Sequence, residues 1–188
     1  DLDNTYVDDG IALLREHGCM SMLVPAAVGG GGATFAETCA LLAELAHGCP
    51  ATSLTFSMHA HLVAAQVWRH QRDLPAPVLE KVAANQLQLV STGASDWMES
   101  NGTATKVDGG WVINGQKVFI TNAQNAHRIL LLARTAPRRD DKPLHGMTIF
   151  FAELDPKHVT IREIDKLGRA AIDTNELFID NLFVADED

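Results

Sequence analysis

Paired cysteines, a surplus of basic charge and a long apolar run are all missing from this sequence. Cys19, Cys39 and Cys49 are odd in number and form no Cys-x-x-Cys pair. That argues against a disulfide framework or a zinc site and for a reducing compartment. Lys and Arg number 15 against 24 Asp and Glu, a net charge of -9 with a pI near 5.3. Such a balance disfavours nucleic acid or an anionic membrane as the main partner. No apolar run approaches the ~20 residues that a membrane helix needs. The first residues, with Asp1, Asp3, Asp8 and Asp9, have none of the marks of a signal or transit peptide. His47, His59, His61, His70, His127, His145 and His158 are scattered, and His59 and His61 point to different faces of a helix, so no metal site is expected.

The four glycines Gly29 to Gly32 form a run without the Lys of a phosphate-binding loop and without a strand before it. We read them as a plain loop ahead of a helix. There is no internal repeat, and no low-complexity tract beyond these glycines.

What the chain has is enough apolar content, 46% of 188 residues, to bury a core. Residues 1–85 read as helical. Val7 to His17 carries apolar residues at helical spacing. Thr34 with Glu37 makes a capping box, and Gly48 and Pro50 stop the helix that follows. Thr52 to His70 predicts a second long helix, broken by Pro75 and Pro77, with a short one from Pro77 to Val82. After Asn85 the pattern changes to short strands. Leu87 to Val90, Ala104 to Val107, Trp111 to Ile113, Val118 to Ile120, Ile129 to Ala133, Met147 to Ala152 and Leu177 to Val184 are separated by turn residues. The expected fold is therefore α+β: a helical domain over 1–85, then an antiparallel β-sandwich or barrel-like domain over 86–188. Asn114-Gly115 supplies the positive φ angles of a tight hairpin and is expected to turn the chain between two strands.

The densest chemistry follows that dipeptide. Phe119-Ile120-Thr121 places a flat apolar ring beside a hydroxyl, which suits an aromatic cofactor. Ser91, Thr92, Gly93 and Ser95 make a hydroxyl-rich loop able to hold a polar ring edge or a pyrophosphate. Asp96 and Glu99 read as a polar loop cluster. Trp68, Trp97 and Trp111 read first as core or interface anchors.

Ile113-Asn114-Gly115-Gln116-Lys117-Val118-Phe119-Ile120-Thr121-Asn122-Ala123 resembles the strand pair that cradles the flavin in acyl-CoA dehydrogenases. Three more segments resemble the family in order and spacing. They are Val24-Pro25 with Gly29 to Gly32, Ser91 to Asp96, and Gly168 with Asp173-Thr174 and Asp180 to Val184. The family's Glu-Pro is missing upstream of Ser95, its aromatic is usually Trp where Phe119 stands, and its arginine sits one or two residues later than Arg169.

The resemblance implies FAD and the α,β-desaturation of an acyl-CoA thioester, a reaction of fatty acid and lipid metabolism. It assigns Ser91, Thr92, Gly93, Ser95, Phe119, Ile120 and Thr121 to the cofactor and Ser95, Trp97 and Arg169 to the substrate. The family's catalytic base belongs to a C-terminal helical bundle absent here, so no catalytic residue is expected in this chain, which alone would be incomplete and inactive. Also implied are an electron-transfer flavoprotein or another electron acceptor, a homo-oligomer built through the bundle, and a cytoplasmic location, or the mitochondrial matrix in a eukaryote. Two alternatives are a flavin-dependent monooxygenase of the same fold and a non-catalytic fragment or partner subunit.

Overall fold

A computed structural model describes residues 5–92 and 102–188. They are helices plus a curled mixed sheet, an α+β fold. They group into two compact units, one of Asp1–Leu89 with Lys166–Asp173 and the other of Val90–Asp165 with Thr174–Asp188.

The first unit holds α1 (Asp8–Glu16), α2 (Phe35–Gly48), α3 (Pro50–His70) and α4 (Val78–Asn85). Its punctuation is local. Thr34 accepts from the Glu37 N–H, and the Glu37 carboxylate accepts in turn from the Thr34 N–H and hydroxyl at 2.7 and 2.8 Å. These bonds hold the Glu37 carboxyl below its ordinary pKa. Pro50 opens α3 at its first turn, where a missing N–H is harmless. His59 is the pin of this unit. Its Nε2 lies 2.7 Å from the Met20 carbonyl and its Nδ1 accepts the Leu89 N–H at 3.1 Å. The pairing requires the neutral tautomer with the proton on Nε2.

The Gly29–Gly32 loop is a loop for a packing reason. The amides of Gly30, Gly31 and Gly32 donate to the carbonyls of Pro25, Ser21 and Val24. A Cβ on Gly30 would sit 2.2 Å from the Val24 carbonyl oxygen. The glycines permit close backbone approach, and those N–H groups already have partners.

The second unit is a seven-stranded sheet in the order β1-β4-β2-β3-β7-β6, with β5 also paired to β4. The strands are β1 (Leu89–Ser91), β2 (Gly102–Val107), β3 (Gly110–Thr121), β4 (Arg128–Arg134), β5 (Met147–Glu153), β6 (Val159–Glu163) and β7 (Thr174–Ala185). The pairs β2–β3, β3–β7, β4–β5 and β6–β7 are antiparallel, and a parallel bridge, Thr103 to Arg134, joins β2 to β4. One core gathers Val90, Ile113, Ile120, Leu131, Phe150, Val159 and Leu177. Strands from both ends of the order share it, so the sheet must curl on itself.

The hairpin expected at Asn114-Gly115 is not there. The turn between β2 and β3 is Asp108-Gly109, with Val107 opposite Gly110, and Asn114-Gly115 lies inside the twelve residues of β3. Two register breaks bend that strand. Asn114 faces an extra pair on β7, Asp180-Asn181, and farther on Val118-Phe119 face the single residue Glu176. Positive φ is still found at the first break, at Gly115 (φ 153) and Asn181 (φ 51). Asn-Gly thus serves a bulge here rather than a turn. Strand β6 was not anticipated; Val159-Thr160-Ile161 is too short and too mixed to stand out.

Candidate functional site

The second break on β3 builds the site. An extra residue shifts the alternation of the strand, so that Lys117 and Ile120, three apart, are both buried. Phe119 is left outside, 66% exposed, with its backbone at φ 62. A bulky residue in the left-handed region is a conformational outlier, and such outliers persist only where neighbours hold them. The ring expected beside a cofactor therefore stands on the surface rather than in the core. Ile120, 0% exposed, turns its side chain into the core and offers a site only its backbone. Thr121 is half-buried beside it.

The chain then turns through Asn122, also left-handed at φ 64 and 1% exposed. Among the described residues neither end of the Asn122 carboxamide has a hydrogen-bond partner. A buried amide left this way is the kind of group that a polar ligand or an ordered water satisfies.

Thr92 follows β1. Its N–H donates to the Leu130 carbonyl at 3.1 Å, and its hydroxyl accepts the Leu132 N–H at 3.3 Å. With its oxygen engaged as an acceptor, the hydroxyl keeps its proton to donate. Ser91 ends β1, half-buried. Gly93, Ser95, Asp96, Trp97 and Glu99 lie outside the described residues. Arg169 is exposed on the Lys166–Asp173 segment of the helical unit, at φ 56. The Lys166 ammonium donates to the Arg169 and Ile172 carbonyls there.

Polar residues that sequence reasoning passed over support this surface from within. Asn175 of β7 is 0% exposed. Its Nδ2 donates to the Ile120 carbonyl at 3.1 Å and its Oδ1 accepts from Gln124 at 3.0 Å. Lys117 is 1% exposed and its Nζ donates to the Leu132 carbonyl at 2.7 Å. The signal that marks both is a polar residue on the inward phase of a strand: Asn175 alternates with the core residues Leu177 and Ile179.

A groove of about 560 Å³ is lined by Leu13, Leu14, Leu41, Leu45, Cys19 and Cys49 in the helical unit. Cys49 caps α3, and the Thr52 hydroxyl, 3.1 Å from its sulfur, lowers the thiol pKa, while burial raises that of Cys19. Tyr6, bonded to Gln88, is pushed up to about 12, mainly by burial. Among the described residues no cluster of His, Cys, Asp and Glu could hold a metal, and no helix is long and apolar enough to cross a membrane. Phe119, Thr121 and Asn122 lie within four residues of one another and offer a candidate site an exposed ring, a half-buried Thr and a buried amide.

Residues 1–85 match the acyl-CoA dehydrogenase N-terminal domain and residues 91–182 the acyl-CoA dehydrogenase middle domain. Benzylmalonyl-CoA dehydrogenase of Aromatoleum aromaticum is 35% identical over 92% of this chain and 46% of its own length. Mitochondrial isovaleryl-CoA dehydrogenase of rice is 31% identical over 93% of this chain and 44% of its own. The butyryl-CoA dehydrogenase structure from Megasphaera elsdenii shares the fold, with a TM-score of 0.78 at 22% identity over 100% of this chain and 51% of that one. The chain spans about half the length of these relatives. With both domain models matched in sequence and nearly the whole chain aligned to dehydrogenases, the chain belongs to the acyl-CoA dehydrogenase family.

Proposed function

We propose that this chain is part of an FAD-dependent acyl-CoA dehydrogenase that desaturates an acyl-CoA thioester, with the catalytic base outside residues 1–188. The observation that carries the reading is Phe119. Its exposed ring sits on a strained, well-supported bulge, next to Thr121 and the orphaned Asn122 amide. Strain held by its surroundings points to use rather than accident.

Bound FAD would supply the acceptor for the hydride that leaves the β-carbon of the thioester. The residues of this chain bind and orient. Phe119 offers an apolar face. Thr121 offers its hydroxyl and backbone N–H, and Thr92, with its oxygen fixed by Leu132, offers a proton to a ring edge. Ser91, Gly93 and Ser95 join the proposed cofactor residues, and Ser95, Trp97 and Arg169 are the residues proposed for the thioester. Electrons leave to an electron-transfer flavoprotein or another acceptor. A homo-oligomer and a cytoplasmic or mitochondrial-matrix location complete the reading.

The full-length protein is expected to copurify with FAD and to reduce an artificial electron acceptor only when an acyl-CoA is added. Thr121→Val should shift the flavin spectrum and reduction potential while changing stability by no more than about 0.5 kcal/mol. Absence of flavin after purification and failed reconstitution with FAD would sink the proposal. An unchanged spectrum in the variant would remove Thr121 from the site.

A further inference from the structure

The Phe119 bulge is held from behind. Antiparallel pairing sets Ile120 opposite Asn175, and Asn175 adds a side-chain bond to the carbonyl of that same partner, at 3.1 Å. The other end of its carboxamide accepts from Gln124, on the 3-10 turn Ala123–Asn125 that follows Thr121. One buried amide thus touches the strand just after the bulge and the turn that leads away from Thr121.

The geometry has a consequence for direction. A trans peptide is planar, with its C=O and N–H pointing opposite ways. The carbonyl that Asn175 holds belongs to the peptide between Ile120 and Thr121. Fixing its oxygen fixes where the Thr121 N–H points. The same bond resists relaxation of the left-handed Phe119 one residue earlier.

We infer that Asn175, braced by Gln124, is a positioning residue: through the Ile120 carbonyl it orients the Thr121 N–H and keeps the Phe119 ring on the surface that receives the cofactor. The inference rests on the flavin reading above, but the clamp itself is a property of this chain. A buried Asn on the core-facing phase of β7 needs hydrogen-bond partners, where an apolar residue would pack without them.

The test uses the full-length protein and the variants Asn175→Ala and Gln124→Ala. The first readout needs no flavin. Amide hydrogen exchange over residues 118–124 should quicken in Asn175→Ala while β4 and β5 stay protected. The second uses the bound cofactor. Flavin content should hold, the visible absorption and circular dichroism bands of the flavin should shift, and kcat should fall on the order of tenfold with little change in KM, within the range an ångström-scale misplacement produces. Gln124→Ala, at an exposed position, should move every readout the same way by less, and it stands in if Asn175→Ala does not fold. Unchanged exchange and an unchanged flavin spectrum in a folded variant would overturn the inference. Faster exchange in a protein that binds no flavin would uphold the clamp, refute its role at a cofactor and count against the flavin reading itself.

Discussion

Strand β3 departs from regular pairing twice, and the two departures use opposite chemistry. At the first, the residues in unusual conformations are Gly115 and Asn181, types that accept positive φ readily. Asn114 accepts the Asn181 N–H at 2.8 Å and donates back to its side chain at 3.3 Å. The break is closed by its own neighbours and exposes no large apolar group. At the second, the residue at positive φ is Phe119, which does not suit it, and its ring is left in solvent. Here the supporting bonds come from a buried amide behind the strand. One bulge is made of residues that fit it, as a structural device should be. The other keeps a residue that does not fit, and that misfit is what marks it as a candidate site.

The largest effect expected on this comparison comes from Ile120→Ala. The Phe119 bulge brings Ile120 into phase with the core, where it is 0% exposed. Removing its side chain should lower the unfolding free energy by about 2–5 kcal/mol in urea denaturation. A loss under about 1 kcal/mol would mean that the bulge does not set the inward phase of β3. Next in size is Asn181→Ala. It places alanine at φ 51 and removes the bond between the Asn114 and Asn181 side chains. A loss of about 1–2 kcal/mol is expected from the same measurement. Smallest, and opposite in sign, is Phe119→Gly. Glycine relieves the left-handed strain at the cost of a more flexible unfolded chain, so a gain of up to about 1 kcal/mol is expected. In the full-length protein the same change should weaken FAD retention during gel filtration. A stability loss as large as that of Asn181→Ala would erase the contrast between the two bulges.

Much of the helical unit was legible because its signals are local. The capping box at Thr34 and Glu37, the end of α2 at Gly48 and the start of α3 at Pro50 depend on residues a few positions apart. The acyl-CoA dehydrogenase resemblance was legible for a related reason: its motifs stand in order along the chain. The geometry of the candidate site was legible only in outline. Phe119, Thr121 and Thr92 were readable as an aromatic ring and hydroxyls, while the positive φ of Phe119 and the role of Thr92 as an acceptor for Leu132 had no sequence mark.

By itself, the sequence determined where helices begin and end, the change from helical to strand pattern near residue 86, and the chemical types gathered around residues 119–121. Each of these depends on backbone preferences or side-chain chemistry acting over a few residues. Only the tertiary structure decided that Asn114-Gly115 bends a strand instead of turning the chain, since that choice belongs to the pairing of β3 with β7, about sixty residues away. It also decided that Lys166–Asp173 joins the helical unit and that Asn175 reaches the Ile120 carbonyl. Register and buried hydrogen bonds are settled between distant segments, where the phase of each strand shows only once its partner is in place.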